Sequence, residues 1–251
     1  MKILKIIASF LLIFSIIALI VWSGVEAKKQ KCTEISIVVH AAENSELLTE
    51  SDVLNILKRH NLEWEGKLIE DIKQPEIKKI LEKEEYVSSV DKVHFSGTKL
   101  QIEISLFHIL LEVQPNQGEN FLIDVDGNYL PYSPKGGSDV IVTTGNIPPR
   151  SDLPSVHHTE HSGLFHLAQL IKDDPFYEAL FREMEVNSKR EIVLKPTVGN
   201  LPVLLGNVQN VEQKLKTLKY MYEEVLPYVD NDKYTLLDAR FQNRIIAKTK
   251  T

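Results

Sequence analysis

From Ile6 to Val25 the chain runs for twenty residues without a charge, and thirteen of them are Ile, Leu, Val or Phe. As an α-helix rising ~1.5 Å per residue, this run would be about 30 Å long, the hydrocarbon thickness of a bilayer. Each large aliphatic side chain near the bilayer centre favours insertion by roughly 0.3–0.6 kcal/mol, which outweighs Ser9, Ser15, Ser23 and Gly24. The expectation is a transmembrane helix over residues 6–25, with Ile6, Phe10, Leu12, Phe14, Ile17, Leu19, Val21 and Trp22 in lipid, behind a short tail, residues 1–5. The competing reading is a cleaved secretory signal: Lys2 and Lys5 make a basic start, and Val25-Glu26-Ala27 loosely fits a cleavage site. Signal cores usually run only ~7–15 residues, which favours the anchor. Lys2 and Lys5 before the span nearly balance Lys28, Lys29 and Lys31 after it, so charge alone does not orient it. One span ahead of about 225 residues is the usual way to export a tethered domain, so the amino terminus is expected in the cytoplasm and the bulk outside it.

Acidic residues outnumber basic ones, 35 to 29, and no basic run follows the juxtamembrane linker, residues 26–33, which argues against nucleic acid as a partner. A hydrophobic share of 43% and a charged share of 25% describe a packed chain, not a disordered one. Cys32 is the single cysteine, so no internal disulfide and no thiolate metal cluster can form. An intermolecular bridge beside the membrane stays open.

Ile35, Ile37 and Val39 alternate with polar residues, as in a half-buried strand. Thr49 with Asp52 three residues on resembles a capping box, and Val53, Leu54, Ile56 and Leu57 continue at helical spacing. Pro75 suits the first turn of a second helix that carries Ile77, Ile80 and Leu81. Tyr86 to Phe95, the turn Ser96-Gly97-Thr98, and Leu100, Ile102 and Ile104 predict a strand pair. Residues 34–106 thus read strand, helix, helix, strand, strand, with both helices over one face of a three-stranded sheet.

Residues 107–251 form a second, β-rich domain. Ile109 to Val113 and Phe121 to Asp124 read as strands, and Asp126-Gly127 between apolar flanks is a hairpin signal. Five of the eleven prolines fall between Pro131 and Pro154, interrupted by a strand at Val140 to Thr144, so the flanks are expected to be irregular and exposed. Helices follow at His161 to Lys172 and from Pro175. Strands are expected at Glu183 to Asn187, Glu191 to Lys195 and Leu201 to Leu205. Val208, Val211, Leu215, Leu218, Tyr222 and Val225 predict the longest amphipathic helix of this part, stopped by Pro227. A final pair of strands turns at Gln242-Asn243. The fold class is α+β: one transmembrane helix, a βααββ module, and a mixed sheet with packed helices.

No coherent catalytic set emerges, and no cofactor site. His157, His158 and His161 are the only clustered metal ligands, and His157 and His161 would share a helix face at i, i+4. Without cysteine, and with only Glu160 nearby, a solvated loop is favoured over zinc. Asp124, Asp126 and Asn128 lack the glutamate and spacing of an EF-hand. Asp173-Asp174 and Asp230-Asn231-Asp232 sit where helices start or stop, as capping requires. There is no nucleophile elbow, glycine-rich phosphate loop or His-Glu-x-x-His. A binding role follows. The last strand has few residues after it and is a candidate sheet edge whose free N–H and C=O groups could template a partner strand. Arg240, Phe241 and Arg244 beside it would give an aromatic anchor and charged handles, with Phe241 in the core and solvated arginines as the plainer reading.

Taken together, the short tail, the span, the βααββ module and the following β module resemble FtsQ/DivIB, the bitopic bacterial cell-division family, in which the first extracytoplasmic module is a POTRA domain. Phe121-Leu122-Ile123-Asp124-Val125-Asp126-Gly127 is similar to that family's "liD-x-x-G" hairpin. Val203-Leu204-Leu205-Gly206, followed by Lys214-Leu215-Lys216-Thr217-Leu218, resembles its "lG" strand and "K-l-x-x-L" helix. Leu237-Asp238-Ala239-Arg240-Phe241 resembles its terminal "iDlRy" strand. Where the family often carries a Glu-Arg or Gln-Arg pair and a proline between modules, this chain reads Ser105-Leu106-Phe107-His108-Ile109.

The resemblance implies a non-catalytic divisome scaffold of the inner membrane at the division septum. It implies that the terminal β edge accepts a strand from an FtsB-like protein joined to an FtsL-like one, with no small-molecule substrate. On the same basis Arg240 would meet a partner carboxylate and Phe241 would pack an apolar side chain. Arg244, Ile245 and Ile246 would present the pairing backbone, with Tyr234 and Asp238 on the neighbouring strand. Two other readings are a POTRA-bearing component of envelope assembly or transport that binds exported chains, and a tethered hydrolase using the histidine loop.

Overall fold

Strict alternation in one short segment organises the first unit. In β3, Lys99–Leu106, every second side chain is sealed: Leu100, Ile102 and Ile104 are 0% exposed and Leu106 2%. The computed structural model describes residues 12–18, 30–42, 45–136, 140–241 and 243–249, and elements are counted among these described residues. Two compact units emerge, Met1–His40 with Leu48–Leu106, and Ala41–Leu47 with Phe107–Thr251.

In the first unit β3 is central, parallel to β1 (Glu34–His40) and antiparallel to β2 (Val87–Ser96), in the order β1-β3-β2. Helix α1, Glu50–Arg59, begins as its sequence demands: the Thr49 side chain accepts from the Asp52 amide, and the Asp52 carboxylate accepts from the Thr49 amide at 2.9 Å. Helix α2, Gln74–Leu81, opens on Pro75. Val53, Ile56 and Leu57 of α1 and Ile77 and Leu81 of α2 are buried, each at 2% exposure or less. The expected strand-helix-helix-strand-strand order is the one observed.

The expected membrane span lies mostly outside the described residues. Residues 12–18 are helical, and Leu12, Phe14 and Ile17 are exposed. Residues 6–11 and 19–25, with Ile6, Phe10, Leu19, Val21 and Trp22, lie outside the described residues, and among those described no helix is long and apolar enough to cross a membrane.

A nine-stranded mixed sheet builds the second unit, in the order β12-β11-β10-β9-β8-β7-β4-β5-β6. In chain order its strands are β4 Ile109–Pro115, β5 Phe121–Asp124, β6 Tyr129–Pro131, β7 Ile141–Gly145, β8 Phe181–Val186, β9 Ile192–Pro196, β10 Val203–Gly206, β11 Tyr234–Phe241 and β12 Arg244–Thr249. Helices α3 (Ser162–Asp173), α4 (Pro175–Leu180) and α5 (Val211–Tyr220) supply Leu164, Phe165, Leu167, Ile171, Tyr177, Leu215 and Leu218 to one continuous core. The strands feed that core with Leu111, Val113, Phe121, Ile123, Met184, Leu194, Val203, Leu205, Leu237 and Ala239. On the other face polar side chains pair along the sheet, such as Lys195 with Glu185 at 2.8 Å and Gln114 with Glu112 at 2.6 Å.

Two expectations need correction here. The longest regular helix of this unit is α3, at 12 residues, because α5 gives way after Tyr220 to a π-turn, Met221–Val225, and then a 3-10 turn, Leu226–Tyr228, that holds Pro227. The wider turn sets the Tyr222 ring edge-on to Phe176 and Phe181, both at 6.2 Å, and burial pushes its hydroxyl pKa up to about 12.

The proline-rich flank after β7 is irregular, with Pro149, Arg150, Asp152, Leu153 and Pro154 exposed, as expected. It is stitched to the β5–β6 hairpin by Tyr129 N–H to the Pro154 carbonyl at 3.2 Å and Val156 N–H to the Gly127 carbonyl at 2.9 Å, and Ile147 and Val156 are buried.

The histidines, against expectation, do not share a helix face. His157 lies in the 3-10 turn Val156–His158, and His161 is the N-cap of α3.

Asp124 explains why this hairpin is so firmly held. Its carboxylate, 1% exposed, accepts from the Asp126 amide at 3.0 Å, the Asn128 amide at 2.6 Å and the Asn128 side chain at 2.8 Å. The oxygens that a calcium reading would need are spent on closing the turn. Asp124→Ala is expected to lower stability by about 2 kcal/mol, since buried donors would be left without an acceptor. Urea unfolding followed by circular dichroism measures it.

Candidate functional site

Strand β11 reaches the sheet's rim because β10 takes it in parallel, pairing Val203 with Leu237 and Leu204 with Asp238. β12 then folds back antiparallel, setting Ile246 opposite Asp238 and Arg244 opposite Phe241, with Gln242 of the turn outside the described residues. The sheet's two rims differ. β6 is three residues long and ends on Pro131, which has no N–H to offer, whereas β12 is six residues long with no residue buried. A long, regular, exposed edge of this kind is open to another strand.

Of the residues singled out from the sequence, Tyr234 and Ile245 turn inward and pack against the core. Phe241 and Ile246 remain 37% and 42% exposed. The Arg244 guanidinium lies 4.5 Å from the Phe241 ring centre, a cation–π contact. These residues come together as one ribbon on the rim.

Arg240 is committed within its own chain. Its Nε and Nη2 donate to the two oxygens of Asp238 at 2.8 and 2.6 Å, and Nη1 donates to Glu191 at 3.0 Å. The stem lies across Gly206, where a Cβ would stand 2.8 Å from Arg240 Cγ, so the glycine of the "lG" strand makes room for the arginine of the "iDlRy" strand. Asp238 is 3% exposed and also lies 3.9 Å from Lys248 Nζ. The hydrogen-bonded Arg240 guanidinium holds the Asp238 carboxyl below the usual range, against the upward push of burial. Glu191 is held low first by Asn187 and then by Arg240, and Arg240 itself is pushed up by both carboxylates. Glu191 and Lys248 were not singled out from the sequence, whereas Gly206 stands in the quoted "lG" strand. The only sequence signal is the glycine after a short apolar run; Glu191 is 49 residues from Arg240.

Lys214, in the "K-l-x-x-L" segment, is a buried cation that donates to the Leu205 carbonyl at 3.2 Å, the Asn207 carbonyl at 2.8 Å and the Asn207 side chain at 3.2 Å. Burial lowers its pKa. It fastens the β10–α5 turn behind the rim.

The histidines form no site. His161, 2% exposed, places Nδ1 2.5 Å from the Tyr129 hydroxyl and Nε2 3.0 Å from the Pro148 carbonyl, which can only accept, so Nε2 donates. His157 Nε2 lies 3.0 Å from the Asp126 carbonyl, again the donor, and its ring packs edge-on to Phe165. These rings lock the loop to the hairpin. Among the described residues no group of three metal-ligating side chains converges.

Comparison with known families matches both units. The POTRA-like domain family matches residues 30–105, and the family described as FtsQ/DivIB, C-terminal related, matches residues 110–248. No curated protein matches the chain. The hairpin pinned by Asp124, the β10–α5 turn fastened by Lys214 and the Asp238–Arg240 strand all fall inside the second match, which covers more than half of the sequence, and on that ground the chain belongs to the FtsQ/DivIB family.

Proposed function

We propose that this protein is a membrane-tethered, non-catalytic scaffold of the bacterial divisome that captures an FtsB/FtsL-like pair by strand addition along β12. Family membership carries the general role in cell division. The single observation behind the finer reading is the unequal pair of rims: β6 is short and proline-ended, and β12 is long and uncovered. In this arrangement Phe241 and Ile246 supply apolar contact and Arg244 a charge, while Asp238 and Arg240 stiffen the strand behind them. Residues 34–106 act as the POTRA-like domain and residues 107–251 as the partner-binding domain. Residues 6–25 form the anchor in the inner membrane, with residues 1–5 cytoplasmic and the domains outside. The exposed apolar side chains of residues 12–18 support that anchor, since water is a poor neighbour for Leu12, Phe14 and Ile17.

The test uses two prolines. Neighbouring amides along a strand point to opposite sides, so of Ile245→Pro and Ile246→Pro one removes an outward donor and the other a bond to β11. The outward variant is expected to keep its circular dichroism spectrum and lose capture of the FtsB/FtsL-like pair in a pull-down. Undiminished capture by both folded variants would defeat strand addition.

A further inference from the structure

On the helix-free face of the last ribbon, β12 presents Arg244, Ile246 and Lys248, while Ile245 and Ala247 turn to the core. Residues 239–251 hold Arg240, Arg244, Lys248 and Lys250 and neither Asp nor Glu, in a chain whose formal net charge is −6. Asp238, the nearest acid before them, is occupied by Arg240 and Lys248. Arg244 has Phe241 beneath it and, among the described residues, no carboxylate within ion-pair reach.

Resting on the reading that this rim accepts a strand, we infer that it selects an extended segment of another polypeptide in which an apolar residue is flanked, two positions to each side, by carboxylates, and that it rejects a second copy of itself. Residues directly opposite in an antiparallel pair share a face and touch. An apolar side chain opposite Ile246 therefore brings its i−2 and i+2 neighbours opposite Arg244 and Lys248.

A second copy would have to join through a two-fold axis normal to the sheet, which keeps the faces matched. The register centred on Ile246 then sets Arg244 against Lys248 at both ends. Like charges directly opposite destabilise a strand pair. Sliding the copies by two residues shortens the ladder and still crowds four cations onto one patch. The charge pattern thus guards an edge that its length leaves open to self-pairing.

Three labelled peptides in a Thr/Val host test this on the full chain in mild detergent: Glu-Thr-Leu-Thr-Glu, the same acids moved one residue inward to the opposite face, and Lys-Thr-Leu-Thr-Lys. By fluorescence anisotropy the first is expected to bind about tenfold more tightly than the other two, an advantage that fades at high salt. The double variant Arg244→Glu, Lys248→Glu is expected to prefer the lysine peptide. Equal affinities for peptides whose binding the edge proline still abolishes would overturn the charge code and leave strand addition standing. No binding by any peptide would overturn both. Sedimentation is expected to give a monomer, and a dimer dissociated by the edge proline would overturn the exclusion of self-pairing.

Discussion

Gly145→Ala is expected to destabilise the C-terminal unit by about 4 kcal/mol or more, enough to leave it largely unfolded or insoluble. Gly145 ends β7 with φ +112, a backbone conformation that side chains disfavour, and an added Cβ would lie 2.2 Å from the Val186 carbonyl oxygen. That oxygen cannot move aside, because it accepts from the Asn146 amide at 2.7 Å, and Val186 is the register partner of Gly145 in the parallel β7–β8 pair. The Gly145 carbonyl meanwhile accepts from Asn116 and Ile147. One methyl group would thus force apart the middle of the nine-stranded sheet, where β7 joins β4 to β8. Gly97→Ala separates the steric cost from the backbone cost: it has a positive φ of +61 but nothing within 4 Å of the added carbon, and should cost about 1–2 kcal/mol. Urea unfolding and amide exchange in β7 and β8 would read the contrast. A Gly145→Ala protein no less stable than Gly97→Ala would show that the two strands part easily.

How much of this fold a reader of the sequence could see depended on whether the cause was local. Thr49 and Asp52 cap α1, Pro75 opens α2 and Asp126-Gly127 turns β5 into β6, each within four residues, and all three signals were legible. Parallel pairing is not local. β10 meets β11 across an intervening helix and three further turns, and nothing in Val203 or Leu237 announces the other. Hydrophobic periodicity likewise ran straight through Tyr222, because a π-turn preserves the apolar stripe while changing the helix.

The candidate rim was legible to a similar degree. Asp238, Arg240 and Phe241 could be found together because they sit on one strand. The partner that ties down the outer Arg240 nitrogen, Glu191, follows the β8–β9 turn far upstream, so the sequence left Arg240 free for an outside carboxylate while the fold supplies two inside ones. His161 failed in the opposite sense. A histidine among prolines reads as solvated until the hairpin delivers Tyr129 to it.

Removing the Asp238 charge is the sharpest way to ask whether the rim is held from behind. Asp238→Asn keeps the shape but leaves Arg240 and Lys248 around a neutral amide; because the two cations are 38% and 50% exposed, losing the buried carboxylate costs about 2 kcal/mol, less than in a fully buried pair. The pH dependence identifies the cause. With its pKa below the usual value in the folded chain, Asp238 binds fewer protons there than in the unfolded chain over the interval between the two. Its stabilisation is therefore complete above the unfolded value, near about 4, and is lost as pH falls through the folded one. The gap between wild type and Asp238→Asn should be widest at neutral pH and should narrow toward pH 3. Asp91 and Asp174, which are also held low but by groups other than Asp238, Arg240 and Lys248, make both proteins acid-sensitive and cancel in the difference, whereas Glu191, held low by Asn187 and Arg240, belongs to the same cluster and titrates with it. A gap independent of pH would mean that the carboxylate acts through shape alone. If the gap narrows and the neutral variant also captures its partner less well at equal concentration of folded chain, then the ion pairs behind β11 hold the edge in the conformation a strand can join, and the binding surface extends one layer deeper than the residues that touch the partner.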